Sequence, residues 1–372
     1  MEQKWWEINP DILIDTPFLA IYSDRVRYNI ETLIASVNGD LTKLRPHVKT
    51  HKLGEILQLF RDYGIEKVKC ATIPEAELCA LYNVPDILLA YQPAGLLKQH
   101  RWLKLLQNYP EISFSTIVDN FETVFELSKL GQDNNQTFGV YIDINTGMNR
   151  TGIDFKSNWD EVMCKIAELS NIQLLGIHIY DGHLHGTEEE RAYAALEAFE
   201  IIKDKLYSVE QKLNYKLKIV AGGSGTFPFY AIQEGVECSP GTFVFWDTNY
   251  QINLPEQKFL PAAIIAGTIV SKPTENTLCI DIGYKAVASE NSLDKRLTVL
   301  NDVNLIPVSQ SEEHLVLQNN GGKQYNLGEI IYAVPYHICP TCALYETVQV
   351  VNAQHDIYDQ WAVLARKRKI NI

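Results

Sequence analysis

The first 250 residues of the chain alternate short apolar runs with longer stretches of helical spacing, which is the pattern of buried parallel strands and amphipathic helices. The predicted strands are 18–22, 44–52, 67–71, 86–91, 112–118, 137–144, 172–180 and 218–221, with 238–245 as a last apolar segment. The predicted helices are 23–37, 52–63, 75–82, 96–108, 121–130, 159–169, 188–213 and 229–234. Repeated strand–helix units of this number predict a closed (β/α)8 TIM-type barrel.

Beyond residue 250 the pattern changes to short apolar runs separated by Gly, Asn and Pro turns, without a long amphipathic helix. These runs predict strands at 260–271, 277–282, 296–299, 314–317, 330–334 and 345–351. We therefore expect an α/β chain with two domains. The barrel covers residues 13–250, and an all-β domain covers 251–372, with residues 1–12 as an optional addition to it.

Composition and charge narrow the function classes. With 372 residues and 46% hydrophobic composition, the chain is long enough for a barrel and a second domain. A net charge of −13 argues against nucleic acid as a partner, and the basic run at 366–369 reads as a solvated tail. The sequence shows neither a long apolar span nor a signal peptide, so we expect a cytoplasmic protein with reduced thiols and no membrane partner.

Residues 44–52, Leu-Arg-Pro-His-Val-Lys-Thr-His-Lys, carry the most unusual pattern in the chain. In a strand, Arg45, His47, Lys49 and His51 share one face. If helices cover the other face, this basic row points into a site that offers negative charge, such as a cofactor phosphate or a substrate carboxylate. An edge strand with a solvated basic face, which Pro46 would favour, is an equal alternative.

The ends of the predicted barrel strands carry the other candidate residues, because barrel chemistry lies at the C-terminal ends of the strands. Gly222-Gly-Ser-Gly-Thr226 and Ser239-Pro-Gly-Thr242 follow the last strands, where backbone N–H groups commonly bind phosphate. A lysine early in the strand order, together with such a phosphate loop and no dinucleotide-binding pattern, suggests a lysine Schiff base with pyridoxal phosphate. The neighbouring positive charges of the basic row would favour an unprotonated amine at Lys49.

Several of these segments resemble the D-threonine aldolase and D-serine dehydratase family, which has the alanine racemase-like pyridoxal phosphate fold. The similarity extends over nearly the whole chain and rests on five segments: 45–52, Asp15-Thr-Pro17 with Asn29, Thr146-Gly-Met-Asn-Arg150-Thr-Gly, Ser239-Pro-Gly241, and Val334-Pro-Tyr-His337-Ile-Cys339. The resemblance implies a barrel followed by a β-domain, in agreement with the hydrophobic pattern. It also implies that Lys49, and not Lys52, carries the cofactor.

By the same resemblance, Arg150 lies near the phenolic oxygen of the cofactor. The phosphate is held by Ser224, Gly225, Thr226, Gly241 and Thr242, and we also count His47 and Tyr180 among the cofactor-binding residues. One position departs from the alanine racemases, which carry arginine where this chain has Ser239. A pyridine nitrogen without that arginine can be protonated, which makes a better electron sink and favours lyase chemistry over racemisation.

A second candidate site is His337-Ile-Cys339-Pro-Thr-Cys342 in the predicted β-domain. In a strand, His337 and Cys339 share a face and can reach one metal ion with N and S ligation. A buried histidine with inert thiols and a redox Cys-x-x-Cys pair are the alternatives. In the family a His-x-Cys or His-x-Asp pair binds the catalytic divalent metal, so the resemblance implies Zn or Mn at His337 and Cys339 and a structural role for Cys342.

Three histidines lie near the predicted strand 172–180. His178 on that strand is more often a packing residue, while His183 and His185 follow in the loop. We assign His183 as a second acid or base from its position.

The resulting expectation is a pyridoxal phosphate- and metal-dependent lyase that acts on a small D-amino acid with a β-hydroxyl. The first choice is D-threonine aldolase, because Tyr180-Asp-Gly-His183 resembles aldolase members, while His-x-Cys resembles the D-serine dehydratases, the alternative. A homodimer is expected. An amino-acid racemase, a non-catalytic pyridoxal phosphate protein and a sugar-phosphate barrel enzyme are more distant alternatives.

Overall fold

The computed structural model describes residues 4–372, and these form two compact units. The barrel unit consists of Ile34–Lys49, Ile56–Gly241 and Lys367–Ile372. The β unit consists of the described residues up to Leu33, Thr50–Glu55 and Thr242–Arg366. Among residues 4–372, none of the helices combines the length and the apolar character that crossing a membrane requires.

The strands and helices follow one another along the chain with short connections. The strands are β1 Phe18–Tyr22, β2 Lys67–Cys70, β3 Asp86–Leu89, β4 Ser113–Val118, β5 Phe138–Asn145, β6 Ile153–Asp154, β7 Ile172–Ile179, β8 Lys218–Ala221, β9 Val236–Cys238, β10 Ala263–Thr274, β11 Thr277–Ile280, β12 Leu297–Val299, β13 Leu305–Gln310, β14 Leu315–Asn319, β15 Ile330–Pro335, β16 Thr347–Val351 and β17 Ile357–Ala362. The helices are α1 Ser23–Ser36, α2 Gly54–Asp62, α3 Ile73–Leu81, α4 Leu96–Asn108, α5 Phe121–Asn134, α6 Trp159–Ala167, α7 Glu188–Leu213, α8 Phe227–Ala231, α9 Thr248–Asn253 and α10 Ile338–Cys342.

The barrel unit is a parallel sheet in the order β2-β3-β4-β5-β7-β8-β9, with the short β6 beside β5. Residues 44–48 join the two ends of this sheet. The Arg45 amide donates to the Cys238 carbonyl at 2.9 Å, and the Val48 amide donates to the Lys69 carbonyl at 2.9 Å. Parallel bridges of Leu44 with β9 and of His47 with β2 complete the closure. The predicted TIM-type barrel is confirmed.

Side-chain capping explains where the helices around the barrel begin. The Thr72 hydroxyl accepts from the Glu75 amide at the start of α3, which also has proline in its first turn. Thr187 and Glu190 form a reciprocal capping box at the start of α7, which ends at Asn214 in the left-handed region. These polar residues satisfy backbone groups that a helix terminus leaves without partners, so the sequence fixes both ends locally.

The β unit is a mainly antiparallel sheet in the order β13-β14-β11-β10-β1-β16-β17, with β15 pairing with β10 and β12. Its core is apolar: Trp6, Ile8, Phe18, Ala20, Tyr22, Ile264, Ala266, Val334 and Val351 pack together. The predicted C-terminal sheet domain is therefore confirmed, and it includes two strands, β13 and β17, that the sequence pattern did not predict.

Three expectations about individual strands are wrong. The predicted strand 18–22 is β1, but it pairs antiparallel with β10 and parallel with β16 in the β unit, instead of opening the barrel. The predicted strand 44–52 loses its sheet pairing after Val48, where a turn begins. The apolar segment 238–245 leaves the sheet at Cys238 and forms a 3-10 turn at Thr242–Val244. Residues 4–12 form no strand, and residues 1–3 lie outside the described part of the chain.

Candidate functional site

A cavity of about 750 Å³ lies in the barrel unit, at the C-terminal ends of its strands. Its walls come from His47 and Lys49 and from residues in or shortly after β2, β3, β4, β5 and β7. The polar lining residues are His47, Lys49, Lys69, Thr72, Tyr91, Gln92, Lys98, Asp119, Asn120, Asp143, Arg150, Thr151, His178 and Tyr180. A concave site of this size with converging polar groups, at this end of a barrel, is the expected place for a small-molecule site.

Three cationic side chains surround the ring of Tyr180. The Lys49 Nζ lies 5.4 Å from the ring centroid, the Arg150 Cζ 5.0 Å and the Lys69 Nζ 5.7 Å. Positive groups at such distances are attracted by the electron-rich face of an aromatic ring. Of the two lysines considered from the sequence, Lys49 lines this cavity, whereas Lys52 belongs to the β unit.

A hydrogen-bonded chain of buried groups forms one wall of the cavity. His178 Nδ1 lies 2.8 Å from Asp143 Oδ1, and His178 Nε2 lies 3.4 Å from Lys69 Nζ. Asp143 Oδ2 also accepts from Thr151 Oγ1 at 2.8 Å and from Gln92 Nε2 at 3.1 Å. Burial works against the charged carboxylate, but the hydrogen bond from His178, with those from Thr151 and Gln92, keeps the pKa of Asp143 below its ordinary value.

The predicted basic row does not form. Arg45 is fully buried inside the barrel, where Glu237 accepts at 2.6 Å and Asp86 accepts from both terminal nitrogens at 2.7 and 3.0 Å. His51 lies buried in the β unit, beyond the turn that ends strand pairing at Val48. Arg45 and His51 therefore do not supply free positive charge beside Lys49. Only His47 and Lys49 of the row line the cavity, so the solvated edge strand is excluded as well.

The glycine-rich loop 222–226 also packs against the ring of Tyr180. A Cβ at Gly223 would lie 2.9 Å from the Tyr180 ring, so the close approach of backbone and ring requires glycine. The Thr226 hydroxyl, one of our predicted phosphate ligands, donates to Asp181 Oδ1 at 2.6 Å. The Tyr230 hydroxyl donates to Asp181 Oδ2 at 2.9 Å. Asp181, which the sequence reasoning missed, is buried and anchors this loop, and burial raises its pKa.

The residues of the barrel unit fit pyridoxal phosphate. Lys49 and Arg150 meet at Tyr180, and the same ring contacts the glycine-rich loop with Ser224, Gly225 and Thr226. Ser239 adds an independent observation, because its hydroxyl is buried without a hydrogen-bond partner among residues 4–372. Because buried polar groups in proteins nearly always have a hydrogen-bond partner, a polar atom of a bound ligand would supply the partner of this hydroxyl. Gly241 ends the barrel unit, while Thr242 begins the next segment in the β unit.

His183 does not line the cavity. A Cβ at Gly147, which has a φ of +125°, would lie 3.1 Å from His183 Nε2, so the imidazole packs against the loop that leads to Arg150. Its Nδ1 atom is buried without a hydrogen-bond partner within the described residues. The assignment of His183 as an acid or base stays a prediction. His185 is exposed, and His178, for which we favoured a packing role, lines the cavity instead.

His337 and Cys339 form a small polar cluster in the β unit. They do not lie on a strand as expected, because β15 ends at Pro335 and His337 caps the short helix α10. The two side chains are nevertheless hydrogen-bonded to each other, and His337 Nδ1 lies 2.5 Å from Glu290 Oε1. Burial lowers the pKa of His337, but the hydrogen bond and charge of Cys339, with the hydrogen bond of Glu290, raise it to about 9.

This cluster has the chemistry of a metal site with two protein ligands. Glu290 holds Nδ1 of His337, which leaves Nε2 to bind an ion, and carboxylates commonly orient ligand imidazoles in this way. The Thr50 hydroxyl lies 3.1 Å from Cys339 Sγ. Within residues 4–372, no group of three or more His, Cys, Asp or Glu side chains is placed to hold a metal ion, which argues against a closed structural zinc site. Burial raises the pKa of Cys342 to about 12, which fits the structural role we assigned to this thiol.

The sequence did carry a signal for the missed residues of the cavity. Lys69 and Asp143 are charged residues inside strands whose neighbours are apolar and buried. A charge at an inward position of a buried strand is costly unless it has partners, and such positions are therefore candidates for function.

Comparison with known proteins identifies the family. Residues 21–248 match the family model described as alanine racemase, N-terminal domain, and residues 262–351 match the putative serine dehydratase domain. The chain is 25% identical over 366 residues to a D-threonine aldolase from Arthrobacter sp, covering 96% of this chain and 94% of that protein. It is 26% identical over 390 residues to a D-serine dehydratase from Dictyostelium discoideum, covering 95% and 98%.

A solved structure supports the same fold. The crystal structure of D-threonine aldolase from Filomicrobium marinum matches with a TM-score of 0.88 at 23% identity, covering 95% of each chain. Enzymes with the alanine racemase-like fold use pyridoxal phosphate, so the resemblance stated from the sequence motifs is confirmed. The chain belongs to the alanine racemase-like family and is a lyase of the group that contains the D-threonine aldolases and D-serine dehydratases.

Proposed function

We propose that this lyase acts on D-β-hydroxy-α-amino acids with pyridoxal phosphate and a divalent metal ion, Zn or Mn, and that it is a D-threonine aldolase. The aldolase reaction cleaves the Cα–Cβ bond and gives glycine and an aldehyde. The observation that carries the metal-dependent lyase is the His337–Cys339 pair, whose imidazole is held by Glu290, because a racemase or a cofactor carrier has no need of a metal-binding pair. The choice of the aldolase within this class rests on Tyr180-Asp-Gly-His183, which resembles aldolase members. Its relatives named D-threonine aldolase and D-serine dehydratase support the substrate class.

In the barrel unit, Lys49 is the residue that would bind the cofactor covalently. Arg150 and Tyr180 would contact it beside Lys49, and Ser224 and Gly225 would hold its phosphate. When bound, pyridoxal phosphate draws electrons away from the Cα atom of the amino acid. The unpartnered Ser239 hydroxyl would face the pyridine nitrogen without fixing it in the unprotonated form, as an arginine would.

In the β unit, His337 and Cys339 would bind the ion through Nε2 and Sγ. A divalent ion there supplies a positive charge that lowers the pKa of a bound hydroxyl group. Because the pKa of His337 is about 9, binding of an ion to this imidazole at neutral pH would release a proton.

D-Serine dehydratase is the second candidate function. In that reaction the β-hydroxyl leaves, and the products are pyruvate and ammonia. The observation in its favour is the sulfur ligand, because the His-x-Cys form of the pair resembles the dehydratases. The Dictyostelium relative at 26% identity carries that name.

A product assay distinguishes the two functions. Purified protein with pyridoxal phosphate and either Zn²⁺ or Mn²⁺ is incubated separately with D-threonine and D-serine, and glycine, acetaldehyde, pyruvate and ammonia are all measured. We expect glycine and acetaldehyde from D-threonine. Pyruvate and ammonia from D-serine, without glycine from D-threonine, would replace the aldolase by the dehydratase.

Two lysine variants serve as the matched controls of this assay. Lys49→Ala should abolish both product formation and the lysine–cofactor absorbance at about 420 nm, which arises from the Schiff base. Lys52→Ala, which changes a lysine of the β unit, should keep both. Cofactor attachment that survives in Lys49→Ala would contradict the assignment of Lys49.

A further inference from the structure

The cavity contains a second lysine that the proposed function does not use. Lys69 is 1% exposed, and its side chain projects from β2 toward the Tyr180 ring, which it shares with Lys49. Burying a lysine in a barrel costs free energy unless the site provides partners or the amine loses its proton. The groups around Lys69 therefore determine what this amine can do in the cavity.

The protonation state of His178, which contacts Lys69, follows from the groups around it. Asp143 is a buried carboxylate that accepts from three different side chains, one of them His178 Nδ1. Burial and the positive charge of Lys69 lower the pKa of His178, although Asp143 opposes this. The imidazole is therefore neutral, with its proton on Nδ1 toward Asp143. Its Nε2 is then an acceptor, and the Lys69 amine donates to it at 3.4 Å.

We propose that Lys69 is a second acid–base group of the cavity, held by Asp143 through His178 and exchanging a proton at Nζ with the bound substrate. This inference deepens the proposed function and rests on it for the identity of the reaction. A reactive group in contact with an imidazole that a buried carboxylate orients is the general arrangement of activated side chains in enzymes. Here the reactive group is an amine, and Asp143 and His178 are its positioning residues.

The charges around Lys69 are compatible with proton exchange. Burial lowers the pKa of Lys69 to about 7, with a further contribution from the positive charge of Lys49. Asp143 and Asp181 act in the opposite direction, and Arg45 lowers the pKa slightly. His178, whose Nε2 accepts from Nζ, and the ring of Tyr180 also face the amine. An amine that gains and loses its proton near neutral pH suits general acid–base catalysis.

The titration of Lys69 can be observed directly by NMR. In protein loaded with pyridoxal phosphate and labelled with ¹³C-lysine, the Cε signal of Lys69 is assigned by its loss in Lys69→Met. We expect this signal to titrate with a midpoint below about 9, compared with about 10.4 for an ordinary lysine. Lys67→Met, a variant of the same strand outside the cavity lining, should retain the signal. A midpoint of 9 or higher would overturn the proposal.

Kinetics separate proton exchange from a fixed positive charge. Arginine keeps the charge but does not release its proton in this pH range. If Lys69 exchanges a proton, Lys69→Arg and Lys69→Met should both lower kcat about 100-fold or more and remove the corresponding step from the pH profile of kcat. Activity of Lys69→Arg within threefold of the unchanged enzyme would overturn the proposal. If the arginine variant does not fold, the methionine variant decides alone: a pH profile of kcat for Lys69→Met that still contains the step assigned to Lys69 would overturn the proposal.

The two arms also separate this inference from the proposed function. An unchanged enzyme that forms no product from D-threonine or D-serine would contradict the proposed function. The NMR midpoint would still decide whether Lys69 exchanges its proton, because that measurement needs no substrate.

Discussion

His51 is a histidine whose environment excludes its charged form. It is fully buried in the β unit, its Nδ1 accepts from the Leu53 amide at 3.1 Å, and burial lowers its pKa to about 3. In the unfolded chain the pKa of a histidine is about 6.5. Between pH 6.5 and pH 3, this histidine therefore binds a proton in the unfolded chain but not in the folded protein. The stability that this neutral histidine represents is therefore complete above pH 6.5 and is lost as the pH falls toward 3.

When the pH is lowered from 7.5 to 5.0, we expect the free energy of unfolding to fall by about 2 kcal/mol because of His51, since one pKa unit corresponds to about 1.36 kcal/mol. In His51→Leu, that part of the pH dependence should disappear, although the Leu53 amide loses its acceptor at both pH values. Urea unfolding at the two pH values measures the difference. The exposed His100→Gln should behave as the unchanged protein does, and an equal loss of stability in His51→Leu would contradict the assignment.

Among individual residues, some of those that stand in a recognisable local motif were correctly predicted to line the site. Lys49 stands in a basic motif, and His47 next to it also lines the cavity. Alternation alone could not show that Arg45 meets Asp86 and Glu237, because both partners are distant in sequence. The contact between Lys69 and His178 could not be predicted for the same reason, since the two residues are 109 positions apart in the chain.

The loop 222–226 is the element whose position depends most on one side chain. Asp181 accepts both the Thr226 and the Tyr230 hydroxyls, and all three residues are buried. Asp181→Ala leaves two buried hydroxyls without this acceptor, at a cost of about 1–3 kcal/mol for each hydroxyl left without a partner. We expect the loop to hold the cofactor less well, with a Kd for pyridoxal phosphate about tenfold higher.

A fluorescence or absorbance titration with pyridoxal phosphate measures this change. Asp204→Ala, which removes an exposed carboxylate from α7, should leave the Kd unchanged. Thermal unfolding of both variants shows whether the fold is intact. An unchanged Kd in a folded Asp181→Ala would mean that the loop is held without this carboxylate.

At the scale of elements, strands were easier to predict than their partners. The apolar run 18–22 does form β1, but the same pattern is compatible with a barrel strand or with the β unit to which it belongs. The segment 44–48 closes the barrel through its amides, and the turn after Val48 is set by tertiary contacts that periodicity does not contain. The strands β13 and β17 carry polar and exposed positions, which weakens the apolar signal.

At the scale of the whole molecule, the barrel could be predicted because strand–helix repetition is a local signal that recurs along the chain. The division into two units cannot be seen in the order of the elements, since the β unit takes residues from before the barrel unit and from two stretches between its segments. Sequence periodicity cannot show such interleaving, because it records which element forms and not which sheet the element joins.

The two units predict different responses to the removal of metal. The residues proposed for pyridoxal phosphate, apart from Thr242, belong to the barrel unit, whereas His337, Cys339 and Glu290 belong to the β unit. Chelation should therefore abolish turnover of the D-amino acid but leave the lysine–cofactor absorbance in place. Addition of Zn²⁺ or Mn²⁺, each alone, should restore turnover and so identify the ion.

The Glu290 carboxylate provides a graded form of this test. It fixes His337 Nδ1, and the loss of such an orienting group typically weakens ion binding 10- to 100-fold, so we expect about a tenfold higher metal Kd in Glu290→Gln. Glu313→Gln, an exposed glutamate of the same unit, is the matched control. Turnover that persists after complete chelation, as verified by metal analysis, would mean that the reaction needs no ion and that His337 and Cys339 have another role. Because the cofactor absorbance is recorded in the same samples, loss of turnover through loss of pyridoxal phosphate is distinguished from loss of the ion itself.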